Sequence, residues 1–363
     1  MTAINTINKN TMTLPYNSIV YSEKPLQGKF CDSPWTAASI LHDGGVTSCI
    51  CPDWTSVFIG NILKTPLEEI YENSEKLYKI RQSVIDGNFG WCKIGHCSVL
   101  NNLPDASDNP WTKFQIPQKP KLPKLLRLGI DFNCNLQCRS CRNKLFYSSQ
   151  ENPTVTKILE SLINSYKDHD QITEVIGDGT GDIFTSKSYE NILWTGRIPE
   201  CWRIGFLTNG NLISKRKNQL KAIRKNISDN FGIQVSLDAA TPEVYKNIRG
   251  GDFQIVLDGL DVLKELGIVF NLEFVLQAGN YRDLEGYHEL GKKYNVFHSV
   301  QHIDQRGHMS KDYWNSVKLE NNPNIDYKYL KQALQLFVDS PNCNIDGGVQ
   351  ELLKEIDTYA TSI

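Results

Sequence analysis

The chain has 363 residues, 40% of them hydrophobic, and a formal net charge of -2, which allows one large domain and a smaller one, each with its own core. Lysine and arginine are spread along the chain without a basic block that would track phosphates, so no nucleic acid partner is implied. No apolar run approaches the roughly 20 residues of a membrane-spanning helix, and the polar start MTAINTINKN lacks a signal peptide's apolar core; the reading is a cytoplasmic protein with no membrane partner.

In chain order, residues 1–30 carry no sustained periodicity and read as an N-terminal arm. Residues 31–102 form a small cysteine-bearing region. It has a predicted hairpin at His42-Asp43-Gly44-Gly45 and a helical stretch, PLEEIYENSEKLYKIRQSVIDG, that stops at glycine. Residues 103–124, rich in proline and turn formers, are the expected linker. From 125 to 310 strand candidates alternate with helices. The strands are LLRLGIDF, ITEVIGDG, RIGFLTNG, GIQVSLDA, IVFNLEFVLQ and FHSVQHID. Such alternation predicts an α/β fold with a parallel sheet, because parallel strands need crossover connections. Chemistry in such folds sits at the C-terminal strand ends. Residues 311–363 are a C-terminal extension expected to help cover that end.

The ten cysteines fall into two groups and two isolated residues. In a reducing compartment this favours metal or redox use over disulfides. Cys134, Cys138 and Cys141 follow the first strand of the alternating region in a C-x3-C-x2-C pattern, within LGIDFNCNLQCRSCR. Three thiolates hold three irons of a cubane cluster and leave the fourth iron open to an exchangeable ligand. No further cysteine or histidine follows at the short spacing a structural zinc site would need.

This motif in this context resembles the radical S-adenosylmethionine (SAM) superfamily, although Ser140 stands where that family usually has an aromatic residue. The resemblance implies a partial (β/α)6 TIM-like barrel with a [4Fe-4S] cluster on Cys134, Cys138 and Cys141. It also implies reductive cleavage of SAM to a 5'-deoxyadenosyl radical that abstracts a substrate hydrogen atom. By the same resemblance the SAM contacts are Gly181 and Asp182 in the turn from Gly179, Thr208 and Asn209 in FLTNGNL, and Ser236, Asp238 and Arg249 in VSLDAATPEVYKNIRGG. Gln277, with Val275 and Asn280, lies in the segment FVLQAGN, which resembles the adenosine-contacting strand end.

Cys31, Cys49, Cys51, Cys92 and Cys97 precede the linker. Their arrangement, with Gly60-Asn61 and a helix reaching Arg81, resembles the SPASM and twitch auxiliary-cluster domains, here placed before the barrel instead of after it. The resemblance implies a second [4Fe-4S] cluster. The expected ligands are Cys31, Cys51, Cys92 and Cys97, with Cys49 as the alternative; a four-thiolate zinc site also satisfies the pattern. Cys201 and Cys343 stand apart and are the candidate hydrogen-atom donors for an epimerising enzyme. The expected substrate is a ribosomally made precursor peptide, oxidised, cross-linked or epimerised. The alternatives are radical redox chemistry on a carbohydrate or small metabolite, or a non-catalytic iron-sulfur or zinc protein. A reductant such as flavodoxin or ferredoxin is the expected protein partner.

Overall fold

A computed structural model describes residues 30–51, 55, 57–92, 97, 121–177, 180–305 and 309–361. The chain divides into two units, Met1–Leu126 and Arg127–Ile363. The predicted N-terminal arm and most of the predicted linker lie outside the described residues.

In the first unit, β1 (Ala37–Leu41) and β2 (Gly45–Thr47) form the predicted hairpin, and β3 (Gly60–Asn61) pairs antiparallel with β2. The turn requires Gly44, whose φ of 80° belongs to the left-handed region that a side chain strains. The expected single helix is two, Leu67–Asn73 and Glu75–Ile85. Ser74 breaks them: its backbone is extended, and its hydroxyl donates to the Ile59 carbonyl at 2.6 Å while accepting from Leu77 N–H as the cap of the second helix.

The second unit is built on β4 (Leu125–Gly129), β5 (Thr173–Gly177), β6 (Trp202–Thr208), β7 (Ile233–Ser236), β8 (Phe270–Leu276), β9 (His298–His302) and β10 (Cys343–Ile345), adjacent in that order. The pairings from β5 through β10 are parallel. Alternate strand residues such as Val175, Phe206, Val235, Leu272, Phe274 and Val300 are buried, as expected where helices cover one face of a sheet. The helix Pro153–Tyr166 shows the complementary pattern: Val155, Ile158, Leu159 and Leu162 are fully buried at the i, i+3, i+4, i+7 spacing. Removing each from water is worth roughly 1.5–3 kcal/mol.

The six predicted strands are therefore present as β4–β9, and the architecture is the predicted α/β fold. The predicted extension adds more than a cover. Helix Tyr327–Val338 returns the chain so that β10 runs parallel to β9, with Cys343 opposite His298. Three residues of β10 are too few for periodicity to reveal.

Candidate functional site

The parallel strands all end on one side, and the cysteine loop leaves β4 there. Asn133 ties the loop's two ends together: its side chain accepts from Ser148 N–H at 2.7 Å and donates to the carbonyls of Ser148 and Thr185 at 2.9 and 2.8 Å. Cys134 N–H donates to the Phe146 carbonyl at 2.7 Å, and Cys141 N–H to the Cys138 carbonyl at 2.9 Å. Arg142 crosses to the next strand's turn, donating to the carbonyls of Phe132 and Thr180 at 3.0 and 2.9 Å. Gly181 is required by this approach, since a Cβ there would lie 2.4 Å from the Asn133 carbonyl oxygen. Its predicted neighbour Gly179 lies outside the described residues.

Burial pushes the Cys134 thiol up, with the Asp182 charge next in effect; burial also raises Cys138, against the opposing pull of the Arg249 guanidinium. Cys138 in turn feels Cys141, and Cys134 feels Cys138, so the three sulfurs form one electrostatic group. A metal that binds thiolates reverses this cost, because coordination stabilises the deprotonated form. The Asn209 side-chain N–H faces Cys134 Sγ at 3.8 Å and donates to Asn135 Oδ1 at 2.8 Å. Donors at ligand sulfurs tune a cluster's charge.

Asp182 faces inward. One carboxylate oxygen accepts from Thr208 Oγ1 and from Asn209 N–H, both at 2.8 Å, and the other accepts from Phe184 N–H at 3.1 Å. Burial raises its pKa while these bonds oppose the rise. Asp182 is thus a strut joining the ends of β5 and β6, and Thr208 is consumed by the same strut. Ser236 ends β7 and is half-buried.

Asp238 holds a left-handed backbone, φ 56°. Its carboxylate accepts from Val275 N–H at 2.7 Å and pairs closely with Arg249 Nη1. Arg249 ends the helix Pro242–Arg249, which Gly250 stops with φ 77°. Burial works against the guanidinium charge, but Cys138 and Asp238 outweigh it and hold the pKa above its ordinary value. Asn280 bridges the carbonyls of Asp238 and Val275, at 3.0 Å each.

Among the described residues, two buried donors here have no partner: Arg249 Nε and Gln277 Nε2. An unpaired buried donor costs about 1–3 kcal/mol, so the pair marks where a polar ligand completes the structure. A carboxylate suits the guanidinium, and a base or ribose suits the amide. The three thiols beside them supply a cluster's open-sided ligand set. The residues present fit a [4Fe-4S] cluster with SAM.

Cys201 and Cys343 are not brought to this end. Cys201 immediately precedes β6, is 5% exposed, and points its thiol at the Tyr166 carbonyl at 3.6 Å. The seven residues of β6, roughly 20 Å of strand, separate it from Thr208. Cys343 is the first residue of β10, again at the N-terminal strand end. Neither is positioned as a hydrogen-atom donor, because a β-strand separates its two ends by its whole length.

In the first unit Cys31, Cys92 and Cys97 pack with Trp35, Val84 and Phe89. Burial raises the Cys92 thiol, followed by the charges of Cys31, Cys49 and Cys97; Cys31 is likewise raised by burial and then by Cys49, against Ser33. Cys49 thus stands electrostatically close to Cys31 and Cys92 and joins the expected Cys51 as a ligand candidate. The reason is local: Ser39 Oγ fixes the Cys49 carbonyl at 2.6 Å, and Cys51 contributes its backbone N–H to Cys49 Sγ at 3.4 Å. Nearby, Arg81 lies over the rings of Trp35 and Tyr71 at 5.8 and 5.7 Å and leaves Nη2 buried without a partner.

Residues 132–291 match the family model of the radical SAM superfamily, and residues 31–98 match the SPASM iron-sulfur cluster-binding domain. Residues 132–291 are thus identified as a radical SAM domain. The radical SAM model implies SAM and a [4Fe-4S] cluster as cofactors, and the SPASM model implies auxiliary iron-sulfur binding.

A protein of Methanosarcina mazei named "Probable GTP 3',8-cyclase" is 30% identical over 165 residues, which cover 42% of this chain and 46% of that protein. The chain thus spans about half the length of this relative. One of the same name from Methanococcus aeolicus is 25% identical over 247 residues, covering 64% and 77%. Among solved structures, anSMEcpe with bound AdoMet and Kp18Cys peptide is 17% identical, with a TM-score of 0.45 over 61% of this chain and 62% of that one. Streptococcus suis SuiB bound to precursor peptide SuiA is 15% identical, with a TM-score of 0.45 over 79% and 65%. Among the described residues no helix is long and apolar enough to cross a membrane.

The sequence reading passed over Asn133, Asn211 and Tyr245. Asn133 stands next to the first cysteine, which was the available signal. Asn211 and Tyr245 bond each other at 2.9 Å and hold the Asn209 backbone, a pairing 34 residues apart that no local pattern announces.

Proposed function

We propose that this enzyme opens SAM at the Cys134, Cys138 and Cys141 loop and directs the resulting radical at a ribosomally made peptide. The observation that carries the catalytic part is the buried Arg249 Nε, without a partner among the described residues, on the residue whose carbonyl Cys138 Sγ meets at 3.6 Å; Gln277 Nε2 is a second buried donor of the same kind. When bound, the cluster supplies the electron that cleaves SAM and so the carbon radical that takes a substrate hydrogen atom. The chain's own residues orient and enclose. Arg249, fixed by Asp238, receives the SAM carboxylate. Gln277, pinned by Asn280, meets the adenosine. Asn209 donates to Cys134, and Asp182 holds the strand ends at their spacing.

Support for a peptide comes from the character of the lip. The cysteine loop exposes Phe132, Leu145, Phe146 and Tyr147, each at least 41% accessible; an apolar lip of this kind suits a polypeptide. Beneath Asp238 sits Glu273, whose carboxyl is pushed up to about 7 by burial and then by the Asp238 charge. Arg249, which Asp238 orients toward the SAM carboxylate, adds no separate cation for a substrate's phosphates. A triphosphate asks for several converging cations or helix N-termini instead.

In the first unit we propose Cys31, Cys49, Cys92 and Cys97 as ligands of the auxiliary cluster, with Arg81 offsetting its negative charge. A second reading, nucleotide cyclisation, is favoured by the GTP 3',8-cyclase names of the relatives.

The test is an anaerobic assay of cluster-reconstituted protein with SAM and reductant, offered peptides or GTP. Peptide-dependent 5'-deoxyadenosine with a two-dalton loss or solvent deuterium uptake supports the proposal. A GTP-derived product of unchanged mass supports the second reading. Absence of any SAM cleavage under reduction sinks both.

A further inference from the structure

Away from the cysteine loop, at the N-terminal ends of β9 and β10, three potential ligands converge. His298 opens β9, Cys343 opens β10 in direct register with it, and His288 comes from the helix Leu284–Tyr294 packed against them. His288 Nδ1 lies 3.0 Å from His298 Nε2; Cys343 Sγ lies 3.1 Å from His298 Nε2 and 3.7 Å from His288 Nδ1. The three atoms all fall within 4.8 Å of one another. We infer that His288, His298 and Cys343 form a binding site for a borderline-soft divalent cation, which the donor set of two imidazole nitrogens and one thiolate sulfur identifies as Zn2+.

The dimensions agree with a metal between these atoms. Zinc bonds of about 2.0–2.1 Å to nitrogen and about 2.3 Å to sulfur at tetrahedral angles place neighbouring nitrogens roughly 3.3 Å apart, and nitrogen and sulfur roughly 3.6 Å apart. The observed separations need shifts of only a few tenths of an ångström. Both imidazoles also have the outer partners that metal-bound histidines use. His298 Nδ1 is 3.0 Å from the Val296 carbonyl, which fixes the proton on Nδ1 and leaves the Nε2 lone pair facing the centre. His288 Nε2 is 3.5 Å from Ser340 Oγ, which takes its N–H when Nδ1 ligates.

The surroundings are built for the convergence. His288 is 5% and His298 1% exposed. Phe337 packs its ring centroid 5.1 Å from His288 and 5.7 Å from His298, and Tyr287 lies 5.8 Å from His298. Gly291, one turn beyond His288, lets the helix come this close: a Cβ there would lie 2.2 Å from His298 Nδ1. Binding exchanges one proton for the cation. The Cys343 S–H bond breaks, its proton goes to solvent, and the sulfur, uncharged before, becomes the anionic ligand; the two histidines donate as neutral bases and nothing is oxidised or reduced. The site ties β10 to β9, the last pairing of the barrel sheet, and its three side chains leave the fourth zinc position to water.

The test uses full-length protein with both cysteine groups loaded with iron and sulfide, dialysed against Zn2+. We expect one zinc per chain, with a zinc-edge X-ray absorption spectrum showing two nitrogens and one sulfur as nearest neighbours. The Cys343→Ala variant should lose that zinc while keeping its full iron and sulfide, and His288→Gln should do the same should Cys343→Ala fold poorly. A Cys134→Ala, Cys138→Ala, Cys141→Ala triple variant should retain it. Zinc absent from the wild-type protein overturns the proposal in favour of a hydrogen-bonded core cluster. Zinc that persists in Cys343→Ala, or that shows four sulfur neighbours, overturns it in favour of adventitious binding at the cysteines of the clusters.

Discussion

The two cysteine regions handle sulfur in opposite ways. In the barrel unit, three thiols on one loop stand beside buried donors that the protein leaves unpaired, Arg249 Nε and Gln277 Nε2, within a shell of fixed amides and carboxylates. In the N-terminal unit, Cys31, Cys92 and Cys97 are packed against Trp35, Val84 and Phe89, and four thiols act on one another. Three ligands with a polar gap make a site for exchange; four ligands in an apolar wall make a closed one. The number of thiols matters less than what is left unsatisfied around them.

The sharpest way to break this contrast is Cys138→Ala. Losing one of only three ligands should bring reductive SAM cleavage down to the background of free reductant, read as 5'-deoxyadenosine, while the iron at the N-terminal unit stays. Residual cleavage at the wild-type rate would contradict the open-sided site.

Next in size is Cys49→Ala against Cys51→Ala. The first should remove about four irons per chain and destabilise the N-terminal unit on the order of several kcal/mol. The second should keep the iron, because Cys51 supplies a backbone N–H that alanine retains. Iron analysis with thermal unfolding reads both, and the reverse pattern would return the ligand role to Cys51.

Smaller still is Arg249→Lys. Lysine keeps the charge but loses the fork, and a charge-assisted bond worth about 1.5–3 kcal/mol converts to a KM for SAM raised roughly tenfold to a hundredfold. Iron content should not change, which separates ligand binding from cluster assembly.

The last effect concerns Glu273 and is read on stability, not activity. Its carboxyl is raised by burial and then by Asp238, from an ordinary 4.5 to about 7. A raised acid stabilises the fold below its unfolded pKa, and that contribution is lost as pH rises through the folded value. Between about pH 4.5 and 7 the wild type should lose on the order of 3 kcal/mol. Glu273→Gln should flatten that slope, measured as denaturant midpoints across the window; an unchanged slope would place Glu273 in a wetter environment.

How much of this was legible in sequence depends on range. The alternation of β4–β9 with helices and the spacing of Cys134, Cys138 and Cys141 are local patterns, and local patterns survive in one dimension because periodicity and loop reach are set by covalent geometry. So are the Gly44 turn and the Gly87 stop. What the sequence could not say is which groups end up satisfied. Asp182 reads as a ligand candidate, yet one of its oxygens accepts from both Thr208 and the Asn209 amide, 26 and 27 residues away, and the other from Phe184 N–H. Cys49 and Cys51 are equivalent in spacing, and the proposed choice of Cys49 rests on three-dimensional neighbours, Ser39 and Cys92. Cys343 reads as an isolated thiol until β10 pairs with β9 and sets it against His298 and His288. Hydrogen-bond satisfaction and burial are properties of three-dimensional neighbours, so tertiary structure alone decided which of these polar side chains are struts and which are left open to a ligand.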